Sequence, residues 1–161
     1  TVKLRQLAEK HGVKTSLTFS DPAMVQFFKD GLTEMLGDGV DLLFCNEAEA
    51  TSYTDTDNVD AALASLKSVC RSAVITLGAK GALVWDGTTT HTIDPIAVKA
   101  VDSNGAGDMF AGAFLYAITH GHDFAAAGKL ASAASARLVS EFGPRLPAEA
   151  HTAIRKSVLG E

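Results

Sequence analysis

Asp108 is the residue of greatest chemical promise in this chain. It stands in the stretch Val101-Asp102-Ser103-Asn104-Gly105-Ala106-Gly107-Asp108-Met109-Phe110, where a polar turn runs directly into an apolar, helix-periodic segment. A helix start leaves backbone N–H groups unpaired and carries the positive end of a dipole, so it attracts anions. Glycines at alternate positions, here Gly105 and Gly107, let an anion come close to the backbone. A carboxylate in the same turn would repel a phosphate that was only being held. It fits if Asp108 takes the proton from a hydroxyl attacking that phosphate, which is the logic of a phosphotransferase. The plainer alternative is a tight turn in which Asp108 complements the helix dipole. Two familiar glycine motifs do not apply. Phe110 occupies the third glycine position of Gly-x-Gly-x-x-Gly, and Gly107 to Gly112 has P-loop spacing but continues with Ala113 and Phe114.

Asn46-Glu47-Ala48-Glu49 follows an apolar run, with Asn46 and Glu49 on one face of a helical turn. An amide and a carboxylate so placed can order the water shell of Mg²⁺ beside phosphates, because Mg²⁺ keeps several waters and takes few protein ligands. They can equally form a capping box. Thr76-Leu77-Gly78-Ala79-Lys80-Gly81 is a strand end followed by glycine-bounded residues, over which a nucleotide could lie, or a plain turn between two strands. His120 and His122 lack further ligand spacing for zinc and read as loop residues at a helix end. Trp85 reads as packing rather than a stacking platform, and no nucleophile–His–acid arrangement can be argued from chain order.

Strands and helices must position these residues. The pattern predicts a helix ending near His11 and Gly12, a strand over 15–19, and a capped helix from Pro22 with the stripe Met24, Phe27, Phe28, Leu32, Met35 and Leu36. Buried strands are expected over 40–45 and 73–77, with helices from Asn46 and over 59–69 between them. Asp86-Gly87 between apolar runs signals a hairpin, and 97–101 reads as a further short strand. Helices are expected over 106–119, over 123–139 and after Pro147. The alanine-rich one over 123–139 either packs closely or leaves room for a flat ligand. Alternating strands and helices with one antiparallel insertion argue an α/β layered fold on a mainly parallel sheet, read as one domain over 1–161. Ligands of such sheets bind beyond the carboxyl ends of the strands, where Asn46, Gly78 and the Asp102–Asp108 turn all fall.

Composition excludes several classes. The 161 residues are 47% hydrophobic and 20% charged, ordinary for a globular protein with one sizeable core. A net charge of −5 gives no electrostatic case for nucleic acid or an anionic membrane. No apolar run approaches the ~18 residues that span a bilayer, and the charged, amphipathic start is unlike a signal peptide. Cys45 and Cys70 are far apart in sequence and read as two buried thiols, which points to the cytoplasm. The abrupt start, with no initiator Met, reads as a piece of something longer.

The order and spacing of the three motifs resemble the ribokinase family, the PfkB-type carbohydrate and nucleoside kinases, over the C-terminal half of that family. Asp102-Ser103-Asn104-Gly105-Ala106-Gly107-Asp108-Met109-Phe110 resembles the signature Asp-Thr-x-Gly-Ala-Gly-Asp-x-Phe, with Ser103 keeping the hydroxyl of the usual Thr. Asn46 and Glu49 match the Asn-x-x-Glu motif, and Thr76, Gly78 and Gly81 match Thr-x-Gly-x-x-Gly. The wording around Asn104 is most similar to bacterial members called adenosine kinase or sugar kinase. The resemblance implies a ribokinase-like fold with helices on both faces of the sheet, with ATP and Mg²⁺ as cofactors. It implies Asp108 as catalytic base, and Gly105, Ala106 and Gly107 as an anion hole. Asn46 and Glu49 would serve Mg²⁺ and the phosphates, with Glu49 acting through water. Thr76, Gly78, Gly81 and Ser132 would line the nucleotide, Ser132 standing where some relatives place Asn. Asp102, Asn104 and Gly143 match the positions of a monovalent cation such as K⁺. The partner implied is a small sugar or nucleoside, and a full-length protein can form a homodimer through its lid. The family's N-terminal half, which supplies acceptor-binding residues and that lid, is not recognisable here. The expectation is a nucleotide-binding, catalytic half that is a poor catalyst alone.

A different class, a nucleotide-binding or regulatory module without catalysis, explains the same loops but has no need of Asp108. A Rossmann dehydrogenase is disfavoured by Phe110.

Overall fold

The computed structural model describes residues 1–161. Five strands, β1 (Ser16–Thr18), β2 (Leu42–Asn46), β3 (Ala73–Thr76), β4 (Ala82–Trp85) and β5 (Thr90–Ile93), form one sheet in that order. β1, β2 and β3 run parallel, with Thr18 level with Phe44 and Asn46 level with Thr76. Seven helices accompany them: α1 (Val2–Lys10), α2 (Pro22–Leu36), α3 (Glu47–Thr54), α4 (Val59–Leu66), α5 (Ala106–Thr119), α6 (Phe124–Val139) and α7 (Ala148–Leu159). The α/β architecture and the mainly parallel sheet agree with the sequence pattern.

The chain packs into two compact units, Thr1–Thr76 with Trp85–Thr90, and Leu77–Val84 with His91–Glu161. In the first, β2 and β3 are buried along both faces, as inner parallel strands are, with Leu43, Val74 and Ile75 fully inaccessible, while β1, at the sheet edge, exposes Ser16 and Thr18. Phe19 is also fully inaccessible and packs against Tyr53, the ring centres 4.7 Å apart and the planes tilted by 38°. Asp41 ties the start of the sheet together: its carboxylate accepts from Thr15 N (2.8 Å) and Arg71 Nη1 (2.8 Å). Partial burial works against its ionisation, but the Thr15 amide and the Arg71 guanidinium outweigh it and hold the pKa below the usual value. Cys45 and Cys70 are buried free thiols, as expected, and burial pushes Cys70 up to about 12. Trp85 is buried under Lys67, whose ammonium lies 5.3 Å from the ring centre, so it packs rather than presents a platform. The hairpin turn closes with Asp86 N on Thr89 O, while the Asp86 side chain accepts from Thr88 N and Thr89 N.

Two expectations need correction. Phe27 and Phe28 are 71% and 60% exposed, because they lie off the helical face set by Val25, Leu32 and Leu36; Phe28 also leaves helical geometry (φ −131°, ψ 28°). The inward stripe is therefore Val25, Leu32 and Leu36. Residues 97–101 form no strand: 94–101 is exposed and finds no neighbouring backbone for a ladder. Instead Val101 N and Asp102 N both donate to Val139 O, at 2.7 and 3.2 Å.

The second unit is built on α5 and α6, with Phe114 edge-on to Phe124 at 5.3 Å. The alanine-rich face of α6 is used for close packing. Ala127, Ala131 and Ala134 are buried, and a Cβ on Gly128 would lie 2.7 Å from Ile93 Cδ1. His120 caps the end of α5 and stacks on Tyr116 at 4.0 Å, and His122 pairs with Glu161 at 2.8 Å, so both are helix-end residues as expected.

Candidate active site

In the first unit, the carboxyl ends of β2 and β3 carry Asn46 and Thr76, side by side in the parallel register. Asn46 is the N-cap of α3 and forms a complete capping box with Glu49. Asn46 Oδ1 accepts from Glu49 N (2.8 Å), Glu49 Oε2 accepts from Asn46 N (2.9 Å), and Glu49 Oε1 accepts from Asn46 Nδ2 (2.8 Å). Glu49 is only 4% exposed. Burial raises its pKa and the nearby Asp21 charge adds to that, against the lowering effect of the Asn46 amide. Each carboxylate oxygen accepts one hydrogen bond and keeps a lone pair, so the pair can still receive the water shell of a divalent cation, whose charge would favour the ionised form. The capping reading and the phosphate-side reading are thus compatible in one pair of side chains.

In the second unit, Gly78 and Gly81 differ in kind. Gly78 is exposed at φ +59° with nothing near its missing side chain. Gly81 is buried, and a Cβ there would lie 2.0 Å from Ile93 O, so the fold itself demands this glycine. Ser132, on α6, donates to Asp94 O at 3.4 Å.

The turn before α5 is the most constructed feature. Helices α2, α3, α4 and α6 are capped by the side chains of Asp21, Asn46, Asn58 and Asp123, whereas α5 starts on Gly105 with no side-chain cap. Gly105 is left-handed (φ 76°, ψ 4°), and a Cβ on it would meet Pro144 Cβ at 3.0 Å. Gly107 has helical backbone and open space where a side chain would be. The Ala106 N–H is donated to Ser103 O (3.2 Å), while no group of the protein accepts from the N–H of Gly105, Gly107 or Asp108. Within the expected anion hole, Gly105 and Gly107 therefore offer free donors and Ala106 does not. Asp108 is exposed, and its carboxylate has no partner within the chain.

The turn is braced from behind. Asp102 Oδ1 accepts from Asn104 N (2.9 Å) and Oδ2 from Gly143 N (3.1 Å), bonds that hold its pKa below the usual carboxylate value. Ser135 Oγ donates to Ala106 O at 3.0 Å. Asp102, Asn104 and Gly143 are thus gathered around one carboxylate. The bracing roles of Pro144 and Ser135 escaped sequence reasoning, because neither carries a local signal.

A family model described as pfkB family carbohydrate kinase matches residues 1–151. The chain belongs to that family. It is 31% identical to an adenosine kinase of Saccharomyces cerevisiae, over 92% of this chain and 47% of that protein. It is 33% identical to a ribokinase of Haemophilus influenzae, over 86% and 45% respectively. The solved adenosine kinase of Sinorhizobium meliloti superposes with a TM-score of 0.89 at 30% identity, covering 97% of this chain and 48% of that one. The chain spans about half the length of the relatives it matches. The ribokinase-like fold implied by the motifs is the fold of these proteins.

Proposed function

We propose that the chain is the nucleotide-binding and catalytic half of an ATP-dependent kinase that phosphorylates a hydroxymethyl of a sugar or nucleoside. The observation that carries this reading is the start of α5: free N–H groups on Gly105, Gly107 and Asp108 stand beside an unpartnered carboxylate. Donors fixed on a helix end stabilise charge on a transferring phosphoryl without reorganising, and Asp108 can take the acceptor hydroxyl's proton as it attacks. Asn46 and Glu49 would hold the phosphate side of ATP through Mg²⁺, Glu49 by way of bound water, with Thr76, Gly78 and Ser132 along the nucleotide. Mg²⁺ would supply neutralising charge to the phosphates. A monovalent cation such as K⁺ would sit among the backbone carbonyls around Asp102, Asn104 and Gly143. We read 1–161 as one functional domain of a protein working in the cytoplasm. The adenosine kinase and ribokinase names of its relatives support an adenosine-like or ribose-like acceptor.

The test is Asp108→Asn in the full-length protein. Loss of a general base costs on the order of 10²–10⁴ in rate, so turnover should fall by at least about a hundredfold while ATP still binds. Turnover within a few-fold of wild type would remove Asp108 from the base role. Wild-type ATP binding without any turnover would instead favour the non-catalytic module.

A further inference from the structure

Ser20 stands just beyond β1, at the carboxyl-end edge of the parallel strands that also carries Asn46 and Thr76. It is a non-glycine residue at φ +74°, and the backbone closes around it with Asp21 N donating to Phe19 O at 2.9 Å. A hydrogen bond between residues i and i+2 about a residue at positive φ is the rare, strained form of the γ-turn. The surroundings leave the chain no escape. Phe19 is fully buried against Tyr53, and its N–H is held by Phe44 O at 3.1 Å. Ser20 N donates to Thr18 Oγ1 at 3.2 Å, and Asp21 is committed to capping α2 through Ala23 N and Met24 N. Glycine would hold this turn at lower cost. The serine hydroxyl gives nothing back to the fold: it is exposed and makes no hydrogen bond in the chain.

The sheet register says which edge of the strands Ser20 follows. Thr18, Phe44 and Val74 are level across β1, β2 and β3, and Asn46 is level with Thr76 in the row two residues further on. Ser20 lies two residues beyond Thr18, past the last paired position of β1, at the same carboxyl-end edge of the parallel strands as Asn46 and Thr76. The Asp21 charge acts on Glu49, which also sets this corner beside the capping box.

We propose that Ser20 is a further contact of the nucleotide's phosphate end, its hydroxyl donating to a polyphosphate oxygen beside Asn46. The strained turn fixes the Ser20 backbone at that edge before ATP arrives, so only the side-chain rotamer is left to order on binding. This rests on the kinase reading above.

The test is calorimetric titration of MgATP and, separately, of AMP into the 161-residue chain and its Ser20→Ala and Ser20→Gly variants, with thermal midpoints alongside. A lost hydrogen bond to a charged oxygen weakens binding by about tenfold. Both variants should lose MgATP affinity to that extent, keep AMP affinity, and hold their midpoints, with Ser20→Gly at or above wild type. MgATP affinity unchanged in Ser20→Ala overturns the proposal alone. Equal losses for AMP and MgATP overturn it too, since the hydroxyl would then not serve the phosphate end. Absence of MgATP binding by the wild-type chain removes the kinase reading and the proposal together.

Discussion

Gly105 and Gly107 sit two positions apart in one turn, yet their replacement should move stability in opposite directions. Gly105 is left-handed and pressed on Pro144, so Gly105→Ala should cost about 1–3 kcal/mol. Gly107 is helical with open space beyond it, so Gly107→Ala should add about 0.5–1 kcal/mol. In the full-length protein both should lower turnover, the second by placing a methyl where the phosphoryl must come. Denaturant melts alongside ATP turnover check this, and a Gly107→Ala protein both more stable and fully active would remove that glycine from the anion site. The distinction was not legible in the sequence, where the two glycines look alike. The same holds for Gly81, whose packing against Ile93 O joins residues brought together only by the hairpin. Asp108 and the Asn46–Glu49 spacing were legible because their chemistry and geometry are local to a single turn.

At the scale of elements, helix caps separate structure from function. The Asn58 side chain caps α4 through Ala61 N at 2.9 Å and makes no other hydrogen bond. Asn46 caps α3 and also meets Glu49 through its amide nitrogen. Asn58→Ala and Asn46→Ala should each cost ~1 kcal/mol of stability, read from denaturant midpoints. Only Asn46→Ala should also weaken MgATP. Equal MgATP affinity in the two variants would leave Asn46 as a cap alone. Helix starts, strand centres and the hairpin were readable because Asp21-Pro22, Asn58, Asp123 and Asp86-Gly87 are strong local signals. What failed was everything that needs a neighbour. The inward face of α2 runs through Val25 rather than Phe27 and Phe28, and 97–101 has strand-like composition but no strand beside it.

The whole molecule should show two opposed pH dependences. Asp41 has a lowered pKa, so its contribution is complete above the ordinary carboxylate value and is lost as pH falls through the lowered one. Glu49 has a raised pKa, so the native state holds its proton longer than the unfolded chain does, and stability declines as pH rises from the ordinary value to the raised one. Thermal midpoints across the acid range should therefore lose their low-pH fall in Asp41→Asn and their decline on the higher side in Glu49→Gln. An unchanged Glu49→Gln profile would show that this carboxylate titrates as a solvated one. Glutamine at this position can keep the bond from Asn46 N but not the one from Asn46 Nδ2, because its amide nitrogen donates. A uniform drop in midpoint is therefore expected, and the charge is read from the change in pH slope alone. The overall α/β layering followed from alternation of patterns, whereas these burial effects depend on which side chains the folded chain encloses.

The chain contains a single tryptophan, and Trp85 lies buried beneath Lys67 in the first unit. Its emission is therefore a reporter with a fixed address. It follows the surroundings of Lys67, in the one of the two units that holds Ser20, Asn46 and Thr76. Far-UV circular dichroism follows the helices of both. Coincident transitions by the two signals would mean that the chain unfolds as one cooperative body. Separated transitions would give each of the two units its own stability, readable without any label.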